Sequence, residues 1–152
     1  MIVREVMHAP AATCAPGDDL GIVVKAMREH DCGFLPVVDT HGIVVGVVTD
    51  RDVCLAAGMV HRPLDRVSAK ETMSFPVFSC FPDENLKVAL ATMARHHVRR
   101  LPVLDRRGHL LGVLSTDDIV QAPARRGAPT AEEVVAALRG ICTPPAVEVA
   151  TA

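Results

Sequence analysis

Shifting the sequence by 66 residues lays Glu5–Asp52 over Glu71–Asp118 without a gap, and 16 of the 48 positions are identical. The chain is a tandem duplication, so whatever one copy folds into, the other must fold into as well. Matched pairs include Met7/Met73, Pro10/Pro76, Cys14/Cys80, Pro16/Pro82, His30/His96, Asp39/Asp105, Gly42/Gly108 and Gly46/Gly112, with Leu35-Pro36-Val37 over Leu101-Pro102-Val103. A copy of about 60 residues is too short to bury a good core alone, so the two are expected to pack on one another. Aromatic residues are only 3% of the chain. The interior must therefore be aliphatic, and Met7, Met27, Met73 and Met93 read as core fillers.

Each copy gives the same local reading. In the first, "DDLGIVVKAMREHD" opens on acids and spaces Leu20, Val23, Val24 and Met27 for a helix. "FLPVVD" is a short strand with its proline at an edge or start, "THG" a turn, "IVVGVV" a buried strand, and "DRDVCLAAG" a helix stopped by Gly58. The second copy predicts a helix at about 84–97, strands at about 101–104 and 110–114, and a helix at about 116–122. "ATCAP" and "FSCFP" add a further strand, and a helical turn around "VREVM" or "AKETM" leads each copy. The fold class is α+β: two β-α-β-β-α repeats over 2–60 and 67–121, a "PARRGAP" linker over 122–129, and a C-terminal helix and tail over 130–142. Thr130 and Glu133 form a capping box at the start of that helix, which is expected to dock on the repeats or on a partner subunit.

Several classes of function drop out. Sixteen basic and 18 acidic residues are scattered along the chain, a net charge of −2 that leaves no footprint for nucleic acid. "MIVREVMHAP" lacks the pattern of a signal peptide, and no apolar run approaches the roughly 20 residues that span a bilayer, so a cytoplasmic location without membrane contact is expected. Five cysteines, odd in number and without CxxC spacing, do not make a disulfide scaffold and read mostly as buried small hydrophobes. Cys142 stands apart from the repeats, and reaches back to Cys14 in a redox reading. His96-His97 are adjacent and no pair has finger-like spacing, so no metal site is expected, and His30 and His96 suit helix C-termini. No nucleophile elbow and no phosphate-loop lysine appears, so no catalytic residue is assigned.

One turn occurs twice, as "GVVTDRD" (Gly46–Asp52) and "GVLSTDD" (Gly112–Asp118). Thr49-x-x-Asp52 and Ser115-x-x-Asp118 both have the form of a helix-capping box, although the Glu or Gln usual in a reciprocal box is absent. Gly46 and Gly112 admit a close neighbour, either a ligand or another strand.

Two copies of "LPVVD…GIVVGVVTDRD", each preceded by "M…P…C.P" and an amphipathic helix, resemble a pair of CBS domains over residues 2–121. "TDRDV", "VRRLPV" and the tail "RGICTPP" are similar to the small stand-alone CBS-pair proteins of hypoxia and dormancy responses. The resemblance implies pseudo-two-fold packing, homodimers, and two clefts for an adenosine-containing ligand: AMP, ADP, ATP or S-adenosylmethionine. In that family the turn grips ribose and phosphate: the hydroxyl of Thr49 or Ser115 goes to phosphate, and Asp52 or Asp118 accepts from the ribose hydroxyls. The favoured cleft combines Ser115, Asp118, Arg100 and Arg99 with Ala12, Thr13, Cys32 and Gly33 of the other repeat. Arginine suits a phosphate because its guanidinium binds two oxygens at once. Its simpler alternative is that both arginines face solvent or pair with acids. The other cleft combines Thr49 and Asp52 with Phe78, Ser79 and Val98, and Phe34 leaves it without the matching charge. The rival to a ligand-sensing module with an unidentified protein client is a ligand-free homodimeric interaction module, or a redox-responsive stress module using Cys14 and Cys142.

Overall fold

The structure, a computed structural model, describes residues 1–143 except Ala124 and Arg126. Repeat one contains α1 (Leu20–Glu29), β1 (Phe34–Val38), β2 (Val44–Thr49) and α2 (Asp50–Met59). A short helix, α3 (Ala69–Thr72), precedes repeat two, which contains α4 (Leu86–His96), β3 (Arg100–Leu104), β4 (Leu110–Ser115) and α5 (Thr116–Gln121). The added helix, α6, spans Ala131–Cys142. The α+β class is as expected.

Each repeat has an antiparallel hairpin, β1 with β2 and β3 with β4, in matching registers that both shift by one residue near the turn. The shift is set by an aspartate. Asp39 Oδ1 accepts from the amides of His41 and Ile43, and Asp105 Oδ1 from those of Arg107 and His109. Gly42 and Gly108 then turn the chain at φ 81° and 90°, where a side chain would be strained. These two turns meet across the pseudo-two-fold, where Val44 N–H donates to the Gly108 carbonyl at 3.1 Å.

Two expected features are corrected. "ATCAP" and "FSCFP" are not strands but single parallel bridges, Cys14 to Val37 and Cys80 to Val103. Pro16 and Pro82 have no N–H to extend the ladder, and the Ala15 amide turns away to Asp18 Oδ2. Gly58 does not stop α2, which runs to Met59 and ends before left-handed His61 (φ 50°) and Pro63. Pro36 sits mid-strand, yet its carbonyl accepts from Cys14 on the outer edge. Its ring nitrogen faces that same edge, so no β1–β2 bond is lost.

The two cores are completed by exchange. The turn Val3–Glu5 precedes repeat one in sequence but packs Val3 among Leu86, Met93, Leu101 and Leu114 of repeat two. Val67 and Ala69 pack among Leu20, Val23, Leu35 and Val48 of repeat one. Backbone bonds follow the same symmetry: Val3 N–H donates to Glu84 O and Leu86 N–H to Met1 O, while Ala69 N–H donates to Asp18 O and Leu20 N–H to Val67 O. These bonds satisfy amides that a helix leaves open at its N-terminus. The chain then continues along the sheet edge, bridging His8 to Val113 of β4 and Ser74 to Val47 of β2.

The repeated glycines make room for this exchange. A Cβ at Gly112 would lie 2.6 Å from the His8 carbonyl oxygen, whereas one at Gly46 would meet the Met73 side chain. A backbone carbonyl bonded to β4 cannot withdraw, but a methionine side chain can. Gly112→Ala is therefore expected to cost about 1–3 kcal/mol and Gly46→Ala clearly less. Urea unfolding of the two variants checks this, and equal or reversed losses would contradict it.

Candidate functional site

Both repeated turns are closed caps. Asp52 N–H donates to Thr49 Oγ1 at 3.2 Å, and Asp52 Oδ2 accepts from Thr49 N–H at 2.8 Å and from the Thr49 hydroxyl at 2.7 Å. Repeat two matches it: Asp118 N–H donates to Ser115 Oγ at 3.1 Å, and Asp118 Oδ2 accepts from Ser115 N–H and Oγ, both at 2.7 Å. Aspartate thus closes the reciprocal box that sequence reasoning reserved for Glu or Gln. The extended backbone at Thr49 and Ser115 brings the short carboxylate within reach.

This geometry changes what the turn can offer an anion. The first amides of the helices, Asp50 and Thr116, already donate to the carbonyls of Gly33 and Arg99, and the third amides go to the cap hydroxyls. Arg51 N–H points to Asp50 Oδ1 in repeat one. Among the described residues this leaves Asp117 N–H in the first turn of α5 without a protein acceptor. With one amide and six residues of helix, the dipole contributes little, and any phosphate held here depends on side chains. Asp52 and Asp118 each keep Oδ1 free of protein donors among the described residues, so one carboxylate oxygen per turn can receive a ribose hydroxyl without opening the cap.

Arg100 is the Cα partner of Ser115 in the hairpin and is half-buried, with no ion-pair partner among the described residues. A guanidinium in that position lacks the acid that usually accompanies one. Arg99 is exposed and turned the other way, its Nη2 4.0 Å from Cys142 Sγ on α6. Phe34, at the position of Arg100 in repeat one, is buried.

The remaining predicted residues lie on the two crossovers or beside them. Leaving β4 at His8, the chain runs through Ala12 and Thr13 to join β1 at Cys14; leaving β2 at Ser74, it runs through Phe78 and Ser79 to join β3 at Cys80. Each crossover therefore starts two residues from the cap of one repeat, measured along the strand it leaves, and ends on the sheet of the other. Ala12 and Cys32 pack on the first core and Val98 on the second. Cys32 and Gly33 line a cleft of about 540 Å³ between α1 and α2, beside Asp50, and Asp52 lines another of about 520 Å³ on the far side of α2.

His96 was missed as part of this region. Its ring stacks on Phe78 with centroids 3.8 Å apart and planes 15° from parallel. The signal was the presence of Phe78 in a chain with four phenylalanines. The matching His30 has Ala12 in its place and no such partner in the sequence.

The cysteines divide by environment. Burial pushes the Cys14 thiol up to about 11 and the Cys80 thiol to about 12, with Asp18 and Glu84 adding to the effect. Cys54 and Cys142 are exposed, against the expectation that most cysteines are buried. The redox pairing of Cys14 with Cys142 is not present. Cys14 belongs to the first core, while Cys142 follows Ile141 of the second, and all five thiols are free. Pro144 and Pro145 of the "RGICTPP" tail lie outside the described residues. No group of three or more His, Cys, Asp or Glu side chains is placed to hold a metal among the described residues. Nor is any described helix long and apolar enough to cross a membrane.

Two repeats with exchanged turns, paired hairpins and capped helices define the class: the CBS domain family matches residues 3–58 and 69–125, and the chain belongs to it. It is 32% identical over 117 residues to the CBS domain-containing protein YhcV of Bacillus subtilis, covering 77% of this chain and 81% of that protein. It spans only 23% of a homoserine O-acetyltransferase of Methanococcoides burtonii that it also matches. The crystal structure of hypoxic response protein I with two coordinated zinc ions is 26% identical, with a TM-score of 0.74, and covers 81% of this chain and 100% of that one. CBS domain protein PAE2072 from Pyrobaculum aerophilum complexed with AMP is 23% identical, with a TM-score of 0.74, and covers 82% and 94%.

At pH 8 the buried thiols are almost wholly protonated and sterically covered, and only a thiolate attacks an alkylating reagent. Mass analysis after brief alkylation is expected to find Cys54 and Cys142 modified and Cys14 and Cys80 untouched until denaturant is added. Labelling of Cys14 at the rate of Cys54 would contradict the burial.

Proposed function

We propose that this chain is a non-enzymatic, cytoplasmic regulatory module that binds an adenine nucleotide or S-adenosylmethionine between its repeats and passes the signal to a protein client. The observation that carries the reading is Arg100: a half-buried cation without an acidic partner among the described residues, held beside the Ser115–Asp118 cap. Phosphate supplies the missing anion, and Asp118 Oδ1 receives a ribose hydroxyl. The crossover carrying Ala12 and Thr13, with Cys32 and Gly33 beyond it, forms the adenine side of that cleft. The second cleft, from Thr49 and Asp52 to Phe78, Ser79 and Val98, has no arginine and binds more weakly. AMP in the Pyrobaculum protein supports the ligand class. The likeness to hypoxic response protein I supports a role in a stress response.

A ligand shifts such a module only if it binds one arrangement better than another. The cleft provides the difference, since a ligand held by Arg100 and Asp118 Oδ1 on one repeat and by the Ala12–Thr13 crossover on the other binds tightly only in the arrangement that brings them together. The second reading, a ligand-free interaction module, is favoured by the complete closure of both caps in the free chain.

Thermal unfolding separates the two. AMP, ADP, ATP or S-adenosylmethionine at about 100 times its dissociation constant is expected to stabilise the fold by about 2.7 kcal/mol, a shift of several degrees. Asp118→Ala, compared with its own ligand-free midpoint, is expected to lose the shift, and Asp52→Ala to keep most of it. No shift with any of the four would sink the nucleotide reading and leave the interaction module.

A further inference from the structure

The segment that leads from α4 into β3 carries groups of both candidate clefts. His96 stacks on Phe78 of the second crossover, and Val98 packs on the second core. The Arg99 carbonyl accepts from Thr116 N–H at 2.9 Å at the start of α5, and Arg100 follows as the cation beside the Ser115–Asp118 cap. His97 takes neither part. It ends α4 in the left-handed region, at φ 54° and ψ 36°, and its Nδ1 lies 2.9 Å from Gly140 O on α6. A carbonyl only accepts, so Nδ1 carries the proton. Gly140 lies in the last turn of α6, where carbonyls lack partners within the helix, and the one amide that also reaches it, Thr143 N–H, is longer at 3.3 Å. Arg99 turns the same way, with Nη2 4.0 Å from Cys142 Sγ.

The far side of α6 is anchored independently of the clefts. Val134, Ala137, Leu138 and Ile141 form one stripe at helical spacing, and all four pack on the second core. Gly140 lets the helix close on α4, since a Cβ there would stand 3.3 Å from that of Ala94. Repeat one has the same joint without the fastening. Asp31 holds the position of His97 with φ 48°, Phe34 holds that of Arg100, and no counterpart of α6 occurs among the described residues. The fastened joint and the arginine belong to the same repeat.

We propose that His97 is a positioning residue for the Arg100 cleft and couples it to α6: the seated helix holds residues 97–100 in the arrangement that presents Arg100, and a bound nucleotide holds the helix in its seat. The coupling rests on the nucleotide reading of Arg100 and Asp118. A cleft that is competent only while α6 is seated binds with its affinity reduced by the seated fraction. Linkage makes the effect mutual, so the nucleotide disfavours unseating by the same factor that unseating weakens the nucleotide. The state of the cleft then reaches the outer face of α6, where Glu132, Val135 and Arg139 are exposed to a client.

The test titrates the full chain calorimetrically with AMP, ADP, ATP and S-adenosylmethionine, and follows hydrogen exchange of the α6 amides with and without each. His97→Gly keeps the left-handed backbone and removes the donor, and is expected to weaken a nucleotide that the wild type binds about fivefold or more. His97→Asn tolerates the same backbone and returns an N–H donor, and is expected to recover most of the affinity. Gly140→Leu wedges α6 away from Ala94 without altering either cleft, and is expected to weaken binding as His97→Gly does. Lys87→Ala breaks the exposed 2.7 Å ion pair to Glu133 at the other end of α6, and is expected to change affinity less than about twofold. Saturating nucleotide is expected to slow exchange of the wild-type α6 amides about fivefold or more, and less in His97→Gly. Circular dichroism verifies that each variant folds. Unchanged affinity in His97→Gly and Gly140→Leu, no rescue by His97→Asn, a Lys87→Ala loss equal to that of His97→Gly, or α6 exchange indifferent to a bound nucleotide would each overturn the coupling and leave the nucleotide reading standing. Binding of none of the four by the wild type would remove that reading and the coupling with it.

Discussion

The exchanged turns hold this molecule together. Val3 fills the core of repeat two and Val67 with Ala69 that of repeat one, and the amides they bond belong to the N-termini of α4 and α1. Without those partners, two helices that carry most of the buried leucine and methionine would begin on unsatisfied donors. The hairpins depend on the same segments, since His8 and Ser74 bridge their inner strands and Cys14 and Cys80 their outer ones. Gly112 is small because the His8 carbonyl passes directly over it.

From that scaffold follows the character of the candidate clefts. The crossovers leave one sheet close to a cap and arrive on the other, so a molecule lying along either would touch both repeats. The caps satisfy nearly all of their own amides, so the charge that distinguishes the clefts is carried by side chains. Repeat two has Arg100 where repeat one has Phe34: among the described residues one has a cation without an acidic partner and the other a buried ring. Duplication supplied two equal frames, and single residues made them unequal.

Much of the fold was legible because the two copies vouch for one another: the hairpins, the long helices, the Thr130–Glu133 cap and the core methionines are all periodic or motif-driven. The exchange was not, because nothing in "VREVM" or "AKETM" states which repeat its valine or alanine will enter. The single bridges at Cys14 and Cys80 were overread as strands because their alternation resembles one, while the prolines that cut them short were legible all along. At the candidate site the cap residues were identified, but not the closure that Asp52 and Asp118 make with a side chain one carbon shorter than glutamate. The Phe78–His96 stack joins a loop to a helix 18 residues on, a contact that no local pattern records.

The exchange also bears on what a duplication of this kind accomplishes. A chain with one such repeat carries a turn with no helix of its own to cap and a helix with no turn to cap it. It can satisfy both only by meeting another chain, and its folding then depends on concentration. Joining two copies end to end makes that encounter intramolecular, at an effective concentration set by the few residues between Met59 and Leu64. Once the partner is guaranteed, the symmetry that made it necessary no longer constrains either copy. One face can then take on a covering helix that, among the described residues, its twin lacks.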